Sequence, residues 1–241
     1  MKLACTSAAF DGAFATGDLT QIEWIELCAR ELAVDGIVLD VRHFPRTDYD
    51  YLAQIKKMTT DLGLSVAGVF DAAFFSAPES GVDRTLELAL SVGAPIVAGG
   101  LASETELSRS AVLDALGQAT GKGKLHNVTL AVRNAPNTFA ASTHDLKRVS
   151  KEADSAWLRY GPDLDAFDAS SEAKTLFARA VLLWINASSE APRIREVLAM
   201  TPDYRGFVVL DGPSTVRDMQ TGVRRWRTAL ESRRQGQIDR T

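Results

Sequence analysis

The chain contains little cysteine and little histidine, with two and three residues respectively among its 241. Cys5 and Cys28 both stand in apolar contexts. Such surroundings favour buried free thiols over a disulfide or a metal-binding pair. We therefore do not expect cysteine chemistry to carry the function.

Long apolar runs and an excess of positive charge are also missing. No run reaches the roughly 18 apolar residues of a membrane span. The net charge is −4, so no overall basic field attracts the chain to nucleic acid or to an anionic membrane. The sequence passes from Lys2 directly into a short strand-like run, without the pattern of a signal peptide. We expect a cytoplasmic protein.

The composition is that of an ordinary globular protein, with 46% hydrophobic and 24% charged residues. This length permits one large α/β barrel or two small domains. The sequence shows no linker, internal repeat or low-complexity segment. We therefore predict a single domain over residues 1–241.

Short apolar runs alternate with helical patterns along the chain. The runs are continuous rather than alternately apolar and polar, which is typical of parallel strands covered on both faces. The predicted strands lie at residues 3–6, 36–40, 64–70, 95–98, 127–132, 156–160, 180–186 and 206–210. Eight strands alternating with eight helices indicate a closed (β/α)₈ TIM barrel. An open doubly wound sheet is the alternative, but CTSAAFDGAF after strand 1 is not its glycine-rich phosphate loop.

Several helix boundaries carry explicit signals. Thr20 and Glu23 form a capping box, Asp48 is a helix cap, and residues 7–17 between strand 1 and the first helix are predicted to be a loop. Ser103 and Glu106 form a second capping box, which predicts a helix to about residue 120 and a turn at GKGK, residues 121–124. The remaining helices are predicted at 82–92, 143–152, 172–177, 192–200 and from 216 onward.

The functional site of such a barrel lies where its strands end. Polar and aromatic residues at these ends suit a small polar ligand such as a sugar or a polyol. The candidates are Thr6, Ser7, Asp40, His43, Asp71, Gly99, Gly100, Arg133, Asn134, Asp163, Asp165, Trp184, Asn186 and Asp211.

Some candidates have a simpler structural interpretation. Asp211 precedes Gly-Pro and could be a turn former, although its place at the last strand favours function. His43 is equally compatible with a solvated loop, His126 belongs to the opposite end of the barrel, and His144 is a weak candidate. The arginines of the last helix lie opposite its apolar stripe, which predicts a solvated or oligomer-contact face rather than a DNA site.

The sequence resembles the sugar phosphate isomerase/epimerase proteins, the xylose isomerase-like TIM barrels. The resemblance is strongest over the first 80 residues or so, in MKLACTSAAFDGAF, GDLTQIEWIELCARELAVDGIVLD and HFPRTDYDYLAQIKKMTTDLGLSVAGV. It continues through NVTLAVRNAPNTFA, SAWLRYGPDLDAF and YRGFVVLDGP, so it covers nearly the whole chain. Barrels of this group often pair, so a homodimer is possible.

The resemblance implies a divalent metal held by Glu, Asp, His and Glu after strands 5, 6, 7 and 8. At those positions this chain has Arg133, Asp163, Trp184 and Asp211, while the neighbouring Asn134 is retained. A divalent ion needs several anionic or imidazole ligands, and a cation at one position would repel it. We expect no metal and no other cofactor, and we expect Arg133 to pair with Asp163 or Asp211 instead.

Two functional hypotheses follow from the resemblance. The first is a metal-free sugar or polyol isomerase or epimerase-like protein, with Asp211 as base and Arg133 polarising a carbonyl. Its predicted substrate-binding residues are Asp40, His43, Asp71, Asn134, Asp163, Trp184 and Asn186. The second is a non-catalytic barrel that binds a small polar ligand or acts as a structural or regulatory partner. The DNA-repair endonucleases of the same superfamily need many metal ligands, and three histidines make that alternative untenable.

Overall fold

A computed structural model describes residues 1–166 and 175–238, and it contains one parallel sheet of eight strands. The strands are β1 Lys2–Thr6, β2 Gly36–Asp40, β3 Ser65–Phe70, β4 Ile96–Gly99, β5 Thr129–Val132, β6 Leu158–Tyr160, β7 Leu182–Asn186 and β8 Phe207–Asp211. They pair in the order β6-β5-β4-β3-β2-β1-β8-β7. The sheet therefore runs in sequence order on each side of the β1–β8 pair.

The two outer strands of this order, β6 and β7, approach each other. Isolated parallel bridges join Tyr160 to Ala180 and Asp163 to Trp184. The Trp184 N–H donates to the Pro162 carbonyl at 2.9 Å. The sheet thus curls round toward a barrel, and the predicted TIM-barrel fold is confirmed.

Helices lie between the strands. They are α1 Asp11–Thr16, α2 Gln21–Arg30, α3 Tyr49–Asp61, α4 Glu79–Val92, α5 Arg109–His126, α6 Thr143–Ala153, α7 Ala191–Met200 and α8 Val216–Ile238. Residues 172–174 of the predicted short helix at 172–177 fall outside the described residues, and residues 175–177 are helical. Among the described helices, none is both long and apolar enough to cross a membrane.

The start of α2 agrees with its sequence signal. The Glu23 N–H donates to Thr20 Oγ1 at 3.3 Å, and the Thr20 N–H donates to Glu23 Oε2 at 2.8 Å. Asp48 caps α3 in the same way by accepting the Tyr51 N–H at 3.1 Å. Local capping chemistry therefore determines both boundaries.

The predicted loop at residues 7–17 is wrong. The chain instead forms a 3₁₀ turn at Ser7–Phe10 followed by α1. Thr6 caps this turn by accepting the Ala8 N–H at 3.3 Å, and Gly17 ends α1 with φ of +77°. This segment is too short to show the periodic apolar stripe that predicts a helix. It places Asp11 above the end of β1.

The predicted start of the fifth helix is also wrong. Ser103 and Glu106 make one of the two expected bonds, with the Ser103 N–H donating to Glu106 Oε2 at 2.8 Å, while the Glu106 N–H donates to the Ser103 carbonyl at 3.1 Å. These bonds hold only a turn, and α5 begins after Ser108, which accepts the Ala111 N–H at 3.3 Å. A capping box satisfies the first turn of a helix and does not by itself require further turns.

The predicted GKGK turn lies within α5. The helix continues to His126 and ends at Asn127, which takes the left-handed conformation with φ of +55°. A Cβ at Gly123 would lie 3.0 Å from the Val128 carbonyl and 3.1 Å from Leu130 Cγ. Glycine is therefore needed at Gly123 for close packing of α5 against β5 rather than for a turn.

The interior of the barrel is filled by small side chains around one large one. Ala4, Val38, Ala67, Ala98, Ala131, Leu182, Trp184 and Val209 form this inner cluster. Trp184 is fully buried. Because alanine stands at four of these positions, the indole has room inside the barrel and forms a platform just below the ends of the strands.

Candidate active site

Arg133 is the first residue after β5 and extends its backbone ladder. Its N–H donates to the Gly99 carbonyl of β4 at 2.8 Å. Ala131, two residues earlier, belongs to the inner cluster of the barrel. Because side chains alternate along a strand, Arg133 points to the same side, at the C-terminal end of the barrel. We call this end the barrel mouth.

The Arg133 guanidinium bridges two carboxylates that come from other strands. Its Nη2 lies 2.6 Å from Asp163 Oδ2 and 2.7 Å from Asp211 Oδ2. The three side chains are only 19%, 20% and 14% exposed, respectively. Such short, partly buried contacts between ionised groups are among the stronger hydrogen bonds in proteins.

Two aromatic rings flank the same guanidinium. Arg133 Cζ lies 4.3 Å from the centroid of the Trp184 ring and 5.5 Å from that of Phe70. The two rings tilt against each other at a centroid distance of 5.3 Å. Cation–π attraction and two ion pairs therefore hold Arg133 in one place. We call Arg133, Asp163, Asp211, Trp184 and Phe70 the Arg133 cluster.

The Arg133 cluster keeps its arginine charged. Burial alone lowers the pKa of Arg133, but the charges of Asp211 and Asp163 outweigh it, and the net pKa is raised. One positive charge is therefore fixed between two carboxylates. Arg133 was predicted to pair with one carboxylate, and the structure brings it to both.

Asn134 and Asp165 position the loop that carries Asp163. The Asp163 N–H donates to Asn134 Oδ1 at 2.6 Å, and the Asp165 N–H donates to Asp163 Oδ1 at 3.1 Å. The Asn186 N–H in turn donates to Asp165 Oδ2 at 2.5 Å. Asn134 is 2% exposed, so its amide is used within the protein. These bonds tie the ends of β5, β6 and β7 together.

A second arginine bridges two carboxylates at the ends of β1 and β2. Arg42 Nη2 lies 2.7 Å from Asp40 Oδ2, and Arg42 Nη1 lies 3.1 Å from Asp11 Oδ2. Asp40 is 1% exposed, whereas the arginine itself is 56% exposed. Hydrogen bonding to Asp40 is the main cause that raises the pKa of Arg42.

His43 belongs to this second group of side chains. Its Nδ1 lies 2.9 Å from Ser7 Oγ, and its Nε2 lies 2.9 Å from Asp11 Oδ1. The ring stacks on Phe14 at 4.1 Å. Burial lowers the pKa of His43 although Asp40 and Asp11 act in the opposite direction. We call Arg42, Asp11, Asp40, His43 and Ser7 the Arg42 cluster.

Asp71, at the end of β3, is used locally. Its Oδ1 accepts the Ala73 N–H at 3.1 Å, and its Oδ2 accepts the Thr85 hydroxyl at 2.8 Å. The carboxylate thus stabilises the turn after β3 and links it to α4. These contacts do not join Asp71 to the Arg133 cluster.

Sequence reasoning missed four residues of the site: Asp11, Phe14, Arg42 and Phe70. Phe70 is the last residue of β3, so the same rule that selected Arg133 also applies to it. Asp11 and Arg42 are 31 residues apart, and no spacing pattern connects them.

The described residues do not offer a divalent ion a suitable site. They include no group of three or more His, Cys, Asp or Glu side chains placed to hold one metal. Asp163 and Asp211, where the resemblance implies metal ligands, both contact the Arg133 guanidinium. A cation between them opposes a second cation at the same point, so these residues do not fit the metal that the resemblance implies.

Comparisons with known proteins give similarity in structure without similarity in sequence. No family model and no curated protein matches the chain. An L-ribulose 3-epimerase structure aligns with TM-score 0.74 and 16% identity, covering 100% of this chain and 98% of that one. The family 2 AP endonuclease of Brucella melitensis gives 0.71 and 17%, covering 92% and 97%.

A third neighbour carries the name of the fold. It is a fusion of a xylose isomerase-like TIM barrel with a 4-hydroxyphenylpyruvate dioxygenase, matched at TM-score 0.72 and 14% identity. The match covers 97% of this chain and 44% of the fusion protein. At such identities the alignments establish architecture and leave the reaction open. The chain therefore has the xylose isomerase-like TIM barrel fold that sugar epimerases share with an AP endonuclease.

Proposed function

We propose that the barrel mouth binds a sugar or polyol without a divalent metal and catalyses a single-base aldose–ketose isomerisation. The observation that carries this proposal is the position of Arg133, whose Nη2 lies within 2.7 Å of both Asp163 and Asp211. A fixed positive charge stands where the related proteins would hold their ion. Carbonyl polarisation then has a protein group to supply it.

In this proposal Asp211 is the base and Arg133 is the electrophile. Asp211 takes a proton from the carbon next to the carbonyl, while the guanidinium stabilises the developing enediolate oxygen. The hydroxyl on that carbon passes its proton to the former carbonyl oxygen, and the same carboxyl returns the abstracted proton to the former carbonyl carbon, which completes the interchange of aldose and ketose. Epimerisation by two bases needs carboxylates on opposite faces of the substrate, whereas Asp163 and Asp211 converge on one nitrogen, Nη2 of Arg133.

The other predicted site residues divide by their contacts. Asp163 and Asn186 are partly exposed, and we propose that they contact the ligand. Trp184 is fully buried and supports Arg133 from below. The remaining residues, Asp40, His43, Asp71 and Asn134, hold the strand ends through hydrogen bonds within the protein.

Binding without turnover is the second candidate function. Two carboxylates and two rings restrain Arg133, and Asp211 Oδ2 is taken up by the guanidinium. A base engaged in this way is a weaker proton acceptor than a free carboxylate. The same geometry would then serve only to hold a polar ligand.

A panel of aldoses, ketoses and polyols distinguishes these candidates. Binding is measured by calorimetry and isomerisation by NMR, with EDTA and with added Mn²⁺, and DNA containing an abasic site serves as the negative control. We expect turnover in EDTA that Asp211→Asn abolishes and Asp61→Asn preserves, since Asp61 pairs with Lys57 on α3. Turnover only with Mn²⁺ would refute the metal-free proposal, and binding without turnover would favour the second candidate.

A further inference from the structure

A cavity of about 580 Å³ lies beside the Arg42 cluster, between α1, the start of α2 and the turn after β2. Its apolar lining comes from Phe14, Ala15, Leu19 and Pro45. Pockets of this volume commonly hold small organic ligands. None of the described residues that line the cavity belongs to the Arg133 cluster. We call it the α1–α2 cavity.

Gln21, the first residue of α2, lines the α1–α2 cavity and is only 2% exposed. Its Oε1 accepts the Tyr51 hydroxyl at 2.9 Å, which fixes the orientation of the amide. Its Nε2 has no hydrogen-bond partner among the residues that the structure describes. A buried N–H group without a partner is costly, so an acceptor that enters the cavity beside Gln21 is favoured.

The polar side chains on the other wall of the cavity are Arg42, Asp11 and His43. Nη1 and Nη2 of Arg42 donate to Asp11, so each oxygen of that carboxylate already accepts a hydrogen bond. Both ring nitrogens of His43 are engaged as well, with Ser7 Oγ and Asp11 Oδ1. Among these described side chains, the buried polar group left for a ligand is the Gln21 Nε2 donor. The ligand must therefore supply an acceptor.

The charges around the α1–α2 cavity disfavour ionic ligands. Asp11 and Asp40 outnumber Arg42, so an anion meets an excess of negative charge. His43 does not offset this excess, because burial lowers its pKa. An ammonium or amidinium cation has no lone pair with which to accept a hydrogen bond from Gln21. An uncharged ligand is the remaining class.

We infer that the α1–α2 cavity is a second ligand site, which binds an uncharged aromatic molecule that carries a carbonyl oxygen. The carbonyl accepts a hydrogen bond from Gln21 Nε2. The ring packs among Phe14, Leu19 and Pro45, and the stacking of Phe14 on His43 at 4.1 Å holds one side of this lining in place. This site does not include the proposed sugar site, so the two proposals are tested independently.

Benzamide, benzoate and benzamidinium form a matched set of probes, because they have nearly the same shape and differ in charge. Binding is followed by ¹H–¹⁵N NMR of the Gln21 side-chain NH₂ group, which is identified by its loss in Gln21→Met. We expect benzamide to shift this signal with a Kd on the order of 1 mM, as for a ligand of few atoms. Benzoate and benzamidinium should bind at least roughly fivefold more weakly, since neither satisfies both the charge and the donor.

Two variants locate the site. Gln21→Met keeps the size of the side chain and removes the donor, so it should weaken benzamide roughly fivefold. Ala15→Trp places a large ring at an exposed position of the cavity lining and should abolish binding. It keeps the test available, through the backbone amide signals of α2, if circular dichroism shows that Gln21→Met does not fold. Gln118→Met, at an exposed position of α5, is the matched control and should leave binding unchanged.

Three results would overturn this inference. The first is the absence of any shift of the Gln21 NH₂ signal when benzamide is added. The second is binding of benzoate or benzamidinium as tight as that of benzamide, because the selection by charge and by donor would then be wrong. The third is an affinity for benzamide that neither Gln21→Met nor Ala15→Trp reduces, because the molecule would then bind elsewhere.

Discussion

The two arginine clusters of the barrel mouth use the same charges in different surroundings. Arg133 and Arg42 each bridge two carboxylates at distances near 3 Å. The Arg133 side chain is 19% exposed and lies against two aromatic rings, whereas that of Arg42 is 56% exposed. Water can replace the contact of Arg42 with Asp11, whose side chain is 48% exposed, but it has little access to the surroundings of Arg133.

This difference in exposure predicts that Arg133 is important for the stability of the fold and that Arg42 is less important. Removing a partly buried guanidinium leaves its carboxylates desolvated and mutually repelling. Removing Arg42 exposes Asp11 to hydration at small cost, and the buried Asp40 keeps the backbone N–H of residue 42 as a hydrogen-bond donor. Each arginine makes two ion pairs, so burial and aromatic contact decide their importance.

The largest expected effect is on stability. Arg133→Met should lower the free energy of unfolding by about 3 kcal/mol, because two partly buried carboxylates lose their counter-charge. Arg42→Met should cost less, about 1–2 kcal/mol, because Asp11 becomes hydrated and the buried Asp40 keeps the backbone N–H of residue 42. Both are measured by urea unfolding at neutral pH.

Methionine keeps most of the apolar length of arginine, so the pair of variants compares charge removal at two burials. If Arg42→Met were as costly as Arg133→Met, burial would not be what distinguishes the two clusters.

A double variant should convert the Arg133 cluster into a binding site for a divalent metal. Arg133→Glu combined with Asp211→Glu replaces the cation by a carboxylate and lengthens a second ligand. Oxygen ligands of this kind suit Mn²⁺. At a Mn²⁺ concentration about ten times its Kd, the double variant should gain about 1.4 kcal/mol in stability, and the parent protein should gain almost nothing.

Arg42→Glu is the comparison variant for this experiment. It also creates three neighbouring carboxylates, but at a position where the arginine side chain is 56% exposed. Hydrated, mobile carboxylates bind a divalent ion weakly, so its gain should be less than half as large. Equal gains from both would show that the geometry around Asp163 has no special value for a metal.

The fold could be predicted because its signals are repeated along the chain. Each strand is a continuous apolar run, and the alternation with helices leaves few topologies. The missed α1 is only six residues long, and its geometry is set by Thr6 and Gly17 rather than by a stripe. GKGK was misassigned because glycine in α5 satisfies a packing requirement at Val128 that no local pattern reveals.

The two clusters of the candidate site also differ in how far the sequence predicts them. Arg133, Asp163 and Asp211 lie at the end of a strand or within three residues after it, so the rule for barrel strand ends selected all three. The Arg42 cluster depends on α1, which lifts Asp11 to the guanidinium. Since that helix was predicted to be a loop, the contact of Asp11 with His43 and Arg42 could not be anticipated.

The smallest expected effect concerns pH, and it arises from the one histidine in the two clusters. Burial lowers the pKa of His43, so the folded protein binds this proton less readily than the unfolded chain. The contribution of His43 to stability is therefore complete above the unfolded pKa of about 6.5 and is lost as the pH falls from there toward the native pKa. His43→Gln should flatten the decrease in stability between about pH 7 and pH 5, whereas His144→Gln on α6 should leave it unchanged. Urea unfolding across this range measures the free energy of unfolding of the parent protein and the two variants. The carboxylates are common to all three proteins, so their contributions cancel in the differences. If the dependence of stability on pH were unaltered in His43→Gln, protonation of His43 would be accommodated by Asp11 and Asp40. The stability of the Arg42 cluster would then be as insensitive to pH near neutrality as that of the Arg133 cluster.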